Sequence, residues 1–301
     1  MIDSILTGYG LYTFSSIIVY IALATLLHLQ YGRTGILNFG VVGFFGLGMY
    51  SFGVLLIQYK FPFLLAMFLS VVLVGIVAYG LGKLILDLDS QSVLVATLAF
   101  ASIVADLTIT EKWLTKGVRG LGSVPFAFDL GIYSQFGFFI LASSLTIILL
   151  LYAFKLENSP YGRLLSSIQD NEILAQSLGK STSQHKLIFF TLTCALMGLF
   201  GALHATNIHF LVPRMLDPGV TFTVWIALIL GGRRRVLGGL IGILATIGIF
   251  DFIIETYVPI PASFQSELLP VLKLLLYGLT LILVIMYRPS GILGNKKLIH
   301  K

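Results

Sequence analysis

The sequence predicts an all-α fold, a polytopic transmembrane helical bundle of about nine spans within a range of roughly 8–10. Three observations carry that expectation. First, 57% of the 301 residues are hydrophobic and only 11% are charged, and a mean hydropathy of +0.98 is far from that of a soluble domain. Second, apolar runs of about 20 residues, the length a helix needs to cross a hydrocarbon core, recur from end to end. Third, the short alternating segments of a membrane β-barrel are absent, which leaves helices to satisfy the backbone in lipid.

The runs fall near 12–29, 35–58, 62–82, 91–111, 134–154, 187–209, 219–231, 236–257 and 270–287. The opening stretch MIDSILTGYG lacks a basic n-region, so the first run is expected to remain as a span rather than leave as a signal peptide. In the second run, YGRTGILNFGVVGFFGLGMYSFG, the residues Gly32, Gly35, Gly40, Gly43, Gly46, Gly48 and Gly53 crowd together. Glycine lets helices approach closely and lets a helix break beside a cavity, so this span is expected to be discontinuous. The run at 187–209 holds Cys194, the one cysteine, which excludes an intramolecular disulfide and reads as a small core residue. Run 219–231 is short for a full crossing and reads as a half-helix ending at Gly231 and Gly232. The next run begins with the chain's only G-x-x-x-G, Gly238 and Gly242.

Lys155, Arg163, Lys180 and Lys186 cluster in one polar segment, Arg233, Arg234 and Arg235 form a basic knot, and Arg288, Lys296, Lys297 and Lys301 mark the C-terminus. Nine crossings place all three groups on one side, which the positive-inside rule makes cytoplasmic, with the N-terminus outside. Asp217, Pro218, Pro259, Pro261 and Glu267 then fall on the other face, while Lys112, Lys116 and Arg119 depart from the rule. The net charge of +6 reports cytoplasmic loops and contact with membrane lipid rather than nucleic acid.

Residues 1–301 thus read as a single transmembrane domain with one cytoplasmic insert, 156–187, containing ENSPYGRLLSSIQDNEILAQSLGKSTSQHKL. Connections in helical bundles usually run about 2–8 residues, so an insert this long needs a reason. Ser159 with Pro160 predicts a capped helix to about Gln169; Asp170 or Asn171 then caps a second short helix that runs to Leu178 and stops at Gly179. The stretch LAQSLGKS ends like a phosphate-binding loop, but position 174 is leucine where the first glycine is needed and no buried strand precedes it. A docking surface for a cytoplasmic partner is the expectation; a solvated loop is the plain alternative.

Five blocks in order resemble the permease subunits of branched-chain amino acid ABC transporters. They are TGILNFGVVGFFGLGMY; VATLAFASIV followed by TKGVRGL; the insert with Ser159-Pro160-Tyr161-Gly162-Arg163, Ile168, Asp170, Glu172, Ala175 and Leu178-Gly179; GGRRRVLGGLIG; and LLLYGLTLILVIMYRPSGILG. The resemblance covers about residues 20 to 294. The triple arginine 233–235 replaces smaller residues, and Val41 and Val42 stand where a histidine is common in the family. What the resemblance implies is an importer subunit in a bacterial inner membrane that binds no cofactor itself. Two permeases, usually homologues, would form the pathway; two ABC ATPase subunits would carry ATP and Mg; an extracytoplasmic solute-binding protein would deliver solute. The insert resembles the segment that couples to the ATPase, with Arg163, Ile168, Asp170, Asn171, Glu172, Ala175, Leu178 and Gly179 as the coupling residues.

Charges in hydrocarbon are functional candidates by default, but Asp106, Asp251, Glu255 and Lys273 lie near predicted span ends, where pairing or snorkelling accounts for them. His28, His204 and His209 also lie near predicted ends and read as structural. Uncharged groups that can hydrogen-bond a zwitterion are better pathway candidates: Asn38, Thr97 and Asn207, with Gly40, Phe44 and Phe100 beside the first two; buried Asn and Thr also serve to bind helices together. The alternative is a proton-coupled secondary transporter using Asp106 and Asp251, which would have no use for a capped docking insert and would need carboxylates nearer midspan. No acid, base, nucleophile or metal constellation points to an intramembrane enzyme.

Overall fold

A computed structural model of the chain describes residues 9–122, 124–125, 133–232, 235–251, 265–287 and 291–292. Helices dominate: α1 Tyr9–Thr34, α2 Val41–Ile57, α3 Phe63–Ile85, α4 Ser90–Thr110, the short α5 Lys112–Thr115, α6 Ser134–Glu157, α7 Pro160–Asp170, α8 Glu172–Ser177, α9 Thr182–Ile208, α10 Pro218–Gly231, α11 Val236–Ile243 and α12 Gln265–Tyr287. The π-helical stretch Leu244–Asp251 prolongs α11. Among the described residues, six helices are long and apolar enough to cross a membrane: Gly10–Thr34, Phe63–Ile85, Ser90–Thr110, Ser134–Glu157, Thr182–Ile208 and Pro213–Gly231. The chain is therefore a polytopic membrane protein. Val41–Ile57 and Val236–Gly248 are shorter apolar helices.

Two ends of helices exceed what hydropathy alone suggests. α1 continues past residue 29 through Gln30-Tyr31-Gly32-Arg33, where Gln30's amide finds a partner across the bundle and Thr34 Oγ1 donates to the Gln30 carbonyl at 2.5 Å. α9 starts at Thr182 rather than 187, taking the polar turn Thr182-Ser183-Gln184-His185 into the helix. The sequence gives no sign of a further feature, a two-residue antiparallel ladder pairing Leu121 with Leu211 and Gly122 with Phe210. His209 reinforces it: its carbonyl accepts from Val124 N at 3.1 Å and its Nδ1 lies 2.8 Å from the Val124 carbonyl.

α1, α2 and α9 form the centre, and Phe44, Phe52, Phe190, Phe200, Leu23, Leu26, Leu27 and Met49 are almost fully buried there. α3, α4 and α6 surround it, leaving Leu64, Phe68, Ile76, Val95, Ile103, Ile140, Ile148 and Leu151 exposed. In lipid such faces carry no penalty. The α10–α11 hairpin closes tightly: a Cβ at Gly242 would stand 1.7 Å from the Ala227 carbonyl, so the G-x-x-x-G packs backbone to backbone.

Candidate functional site

The second apolar run does not begin as a helix. Residues 35–40 are irregular and α2 starts only at Val41. Gly35 takes φ +73°, a left-handed conformation that other residues adopt at a cost, and it ends α1 at the point where the chain turns. An irregular stretch inside a bundle leaves backbone groups unpaired unless side chains reach them. Here they do. Phe39 N donates to Thr97 Oγ1 at 2.9 Å, Gly40 N to Asn38 Oδ1 at 2.8 Å, and Trp225 Nε1 to the Asn38 carbonyl at 3.0 Å. At the head of α2, Val42 N donates to Thr221 Oγ1 at 3.1 Å.

Asn38 is fully buried and stands in a chain of side chains. Its Nδ2 donates to Gln30 Oε1 at 2.9 Å, and Gln30 Nε2 donates to Thr193 Oγ1 at 2.7 Å and to Cys194 Sγ at 3.2 Å. Aromatic rings close the flank: Phe39 stacks on Trp225 at 4.7 Å, Tyr31 meets Trp225 edge-on at 4.9 Å, and Phe44 lies 4.6 Å from Phe100. Gly40 is required by close approach, since a Cβ would lie 2.7 Å from the Thr97 carbonyl. Asn38, Gly40, Phe44, Thr97 and Phe100 are thus brought together. Asn207 is not with them: it lies about 20 Å further along α9 than Cys194 at the helical rise per residue. There its side chain joins Gln135 at 2.6 Å and Ser16 at 3.1 Å. Sequence reasoning missed Gln30, Thr193, Thr221 and Trp225. A glutamine just beyond an apolar run was the one available signal.

The insert folds by local rules. Ser159 Oγ accepts from Gly162 N at 3.0 Å with Pro160 at the first helical position, and Asn171 Oδ1 accepts from Leu174 N at 3.0 Å to start α8. At its end Gly179 N donates to the Gln176 carbonyl at 2.9 Å and Lys180 N to the Ala175 carbonyl at 3.2 Å, the paired bonds of a Schellman stop, with Gly179 at φ +77°. Leu165 and Tyr161 pack with Leu29, Ala153, Leu156, Phe189 and Val236 in a small core of their own beneath α7. Burial there pushes the Tyr161 phenol above its ordinary range, and Tyr152 adds to the shift.

Within the proposed coupling set, Ile168 and Ala175 are buried and attach the insert to its own chain. Glu172 is paired with Lys186 at 2.7 Å. Leu178, by contrast, is 73% exposed, and so are its neighbours Ile173 at 77% and Leu174 at 58%. Ile173 and Leu174 were not picked out in the sequence. Arg163 and Gly179 are exposed as well. Arg33 pairs with Glu157, Arg33 Nη1 reaches Ser166 Oγ at 3.4 Å, and Gln169 Nε2 donates to the Tyr31 carbonyl at 2.9 Å. Ser183 Oγ donates to Asp87 at 2.8 Å. These contacts set the insert, the end of α1 and the α3–α4 turn at one end of the bundle. Through Gln169, Tyr31 and Trp225 the insert is in continuous contact with the break at Asn38 and Phe39. Of the basic knot, Arg235 is exposed; Arg233 and Arg234 lie outside the described residues, as do Glu255, Pro259, Pro261, Arg288, Lys296, Lys297, Lys301, the first eight positions and the side chains of Asp251, Glu267 and Lys273. Asp106 is exposed on the outer surface of α4.

Comparison with known proteins adds to this geometry. The model of a family described as branched-chain amino acid transport system / permease component matches residues 9–285. The high-affinity branched-chain amino acid transport system permease protein LivM of Salmonella typhimurium is 27% identical over 71% of this chain and 56% of its own length. LivM of Escherichia coli is 26% identical over the same shares. The probable branched-chain amino acid transport permease protein LivH of Methanocaldococcus jannaschii is 28% identical over 95% of this chain and 91% of that protein. The chain thus spans little more than half the length of the first two relatives.

Proposed function

The chain belongs to the permease-component family of branched-chain amino acid transport systems, and from that premise we propose that it forms half of the pathway of an ABC importer. Its solute is a branched-chain amino acid or a related small polar molecule. The observation that carries this reading is the insert: two short helices, capped at both ends from within, that present Ile173, Leu174 and Leu178 to the outside while Ile168 and Ala175 hold them to the bundle. Apolar side chains on a polar, charged segment have no lipid to cover them. An ATPase subunit carrying ATP and Mg covers them in the assembly.

In this mechanism the protein does no chemistry. ATP-driven closure of the ATPase pair pushes on α7 and α8, and Gln169, Tyr31 and Trp225 pass the displacement to the break at residues 35–40, where Asn38, Gly40, Phe44, Thr97 and Phe100 border the path. The two states differ in these contacts, which is what lets ATP shift the equilibrium between them. A second permease subunit completes the pathway and an extracytoplasmic solute-binding protein supplies it. The insert and the C-terminus face the cytoplasm, the N-terminus faces outward, and the assembly spans the bacterial inner membrane through about nine crossings of each permease.

The test is transport by the chain co-expressed with its genomic neighbours and reconstituted in vesicles. ATP-dependent amino acid uptake supports the reading. Uptake driven by a proton gradient without ATP would replace it with a secondary transporter, although Asp106 on an exposed surface of α4 is poorly placed to carry a proton through the bundle.

A further inference from the structure

A cavity of about 470 Å³ lies between the start of the break and the elbow joining α7 to α8. Gly35, Ile36 and Leu37 form one wall, Leu86, Leu88 and Val93 from the α3–α4 turn a second, and Asp170, Glu172 and Lys186 a third. We infer that this cavity is a second binding site for a small zwitterion with an aliphatic side chain, entered from the side of the insert; the inference rests on the transport reading above.

The charges select the class of ligand. Lys186 Nζ and Glu172 Oε2 are 2.7 Å apart, with the two side chains only 15% and 36% exposed. An ammonium offers three donors and a carboxylate two oxygens, so their mutual bond exhausts neither group. A zwitterion can add a carboxylate to Lys186 and an ammonium to Glu172 together, leaving the net charge of the site unchanged. Asp170 and Glu172 set two carboxylates against one ammonium, so a lone anion meets two like charges, while only a ligand carrying both a carboxylate and an ammonium engages Lys186 and Glu172 together. The facing wall of Ile36, Leu86 and Val93, at 4%, 5% and 5% exposure, is apolar, so it suits the hydrocarbon part of such a molecule.

The position gives the site a consequence. Its walls belong to the coupling elbow and to the first residues of the break, the two parts that the transport cycle moves relative to one another. An occupant in contact with both holds their spacing and favours the state it fits. Solute that has accumulated on the insert side therefore slows further import.

The experiment uses the intact assembly in vesicles loaded with ATP, with or without unlabelled leucine inside, and reads the initial rate of labelled leucine uptake and of ATP hydrolysis. Internal leucine is expected to lower both rates at least about fivefold, whereas isovalerate, which lacks the ammonium, leaves them unchanged and isoamylamine, which lacks the carboxylate that Lys186 would bind, inhibits less than leucine does. Leu88→Trp, which fills the cavity without touching the ion pair, removes the inhibition and keeps uptake into leucine-free vesicles; Lys186→Gln weakens the inhibition independently. Wild-type uptake that is indifferent to internal leucine, or inhibition that persists undiminished in Leu88→Trp, overturns the site and leaves the transport reading standing. An assembly that shows no ATP-dependent amino acid uptake at all overturns both.

Discussion

Residues 35–40 and residues 159–180 both interrupt long helices, yet they are held in different ways. The first stretch is fixed by side chains from α1, α4, α9 and α10, namely Gln30, Thr97, Cys194 and Trp225, which come from four separate helices. The second takes its shape from Ser159, Asn171 and Gly179, each bonded within one or two turns of itself. The difference separates two tasks. A break inside a bundle must have every polar group satisfied by the tertiary structure, because no water is there to do it. A segment at the edge keeps its shape through its own local bonds while its outer side chains stay exposed.

Substitutions at the break are therefore expected to act on folding, and those at the insert on assembly. The largest effect is expected from Gly40→Val, because its Cβ would meet the Thr97 carbonyl at 2.7 Å and backbone cannot yield as a side chain does. The variant should fail to accumulate as folded protein, as read by monodisperse size-exclusion elution in detergent; normal elution with normal uptake would contradict the close packing. Asn38→Leu should come next. It leaves Gln30 Oε1 and Gly40 N–H without their partners in a buried site, at about 1–3 kcal/mol for each group. Because thermal stability falls for that structural reason, a path role for Asn38 is assessed by uptake per folded molecule, and unchanged transport kinetics would remove Asn38 from the path.

In the insert, Ser159→Ala removes the α7 cap, for which about 1 kcal/mol is typical. Its mark should be faster hydrogen exchange at Gly162 with exchange in α1 and α9 unchanged; equal protection in both proteins would show that the cap carries little. The smallest effect concerns pH. The Ser92 hydroxyl, followed by the Ser92 amide, holds the Asp89 carboxylate below its ordinary value of 3.8. The folded form therefore binds a proton less readily than the unfolded one, so the α4 cap is fully effective above that ordinary value and is lost as pH falls through the lower folded one. Amide exchange at Gln91 and Ser92 should lose protection only under such acid conditions, while Asp89→Asn, whose one amide oxygen can still accept from the Gln91 and Ser92 amides without titrating, should show no such step.

The same division explains what the sequence could disclose. The caps and the stop of the insert were readable because Ser-Pro, Asn-Glu and Leu-Gly act on adjacent residues. The apolar runs marked where helices lie because hydrocarbon thickness imposes their length. The break was suggested by its glycines, but its partners were not: no local rule connects Gln30 to Thr193 or Trp225 to the Asn38 carbonyl. Asn207 was grouped with Asn38 by residue type alone, and the rise of α9 separates them. Ala175 and Glu172 belong to the family pattern, but burial of one and pairing of the other with Lys186 show that they shape the segment, leaving Ile173, Leu174 and Leu178 as its outer surface.

The most direct measurement is co-purification of the ATPase subunit with wild-type chain and with the Ile173→Ser, Leu174→Ser, Leu178→Ser triple variant, together with the melting temperature of each permease. These side chains are exposed, so stability should stay within about 0.5 kcal/mol per substitution. The account predicts a folded permease that no longer retains its ATPase and no longer supports solute-stimulated ATP hydrolysis. A variant that binds the ATPase and imports solute as the wild type does would contradict the role of the insert.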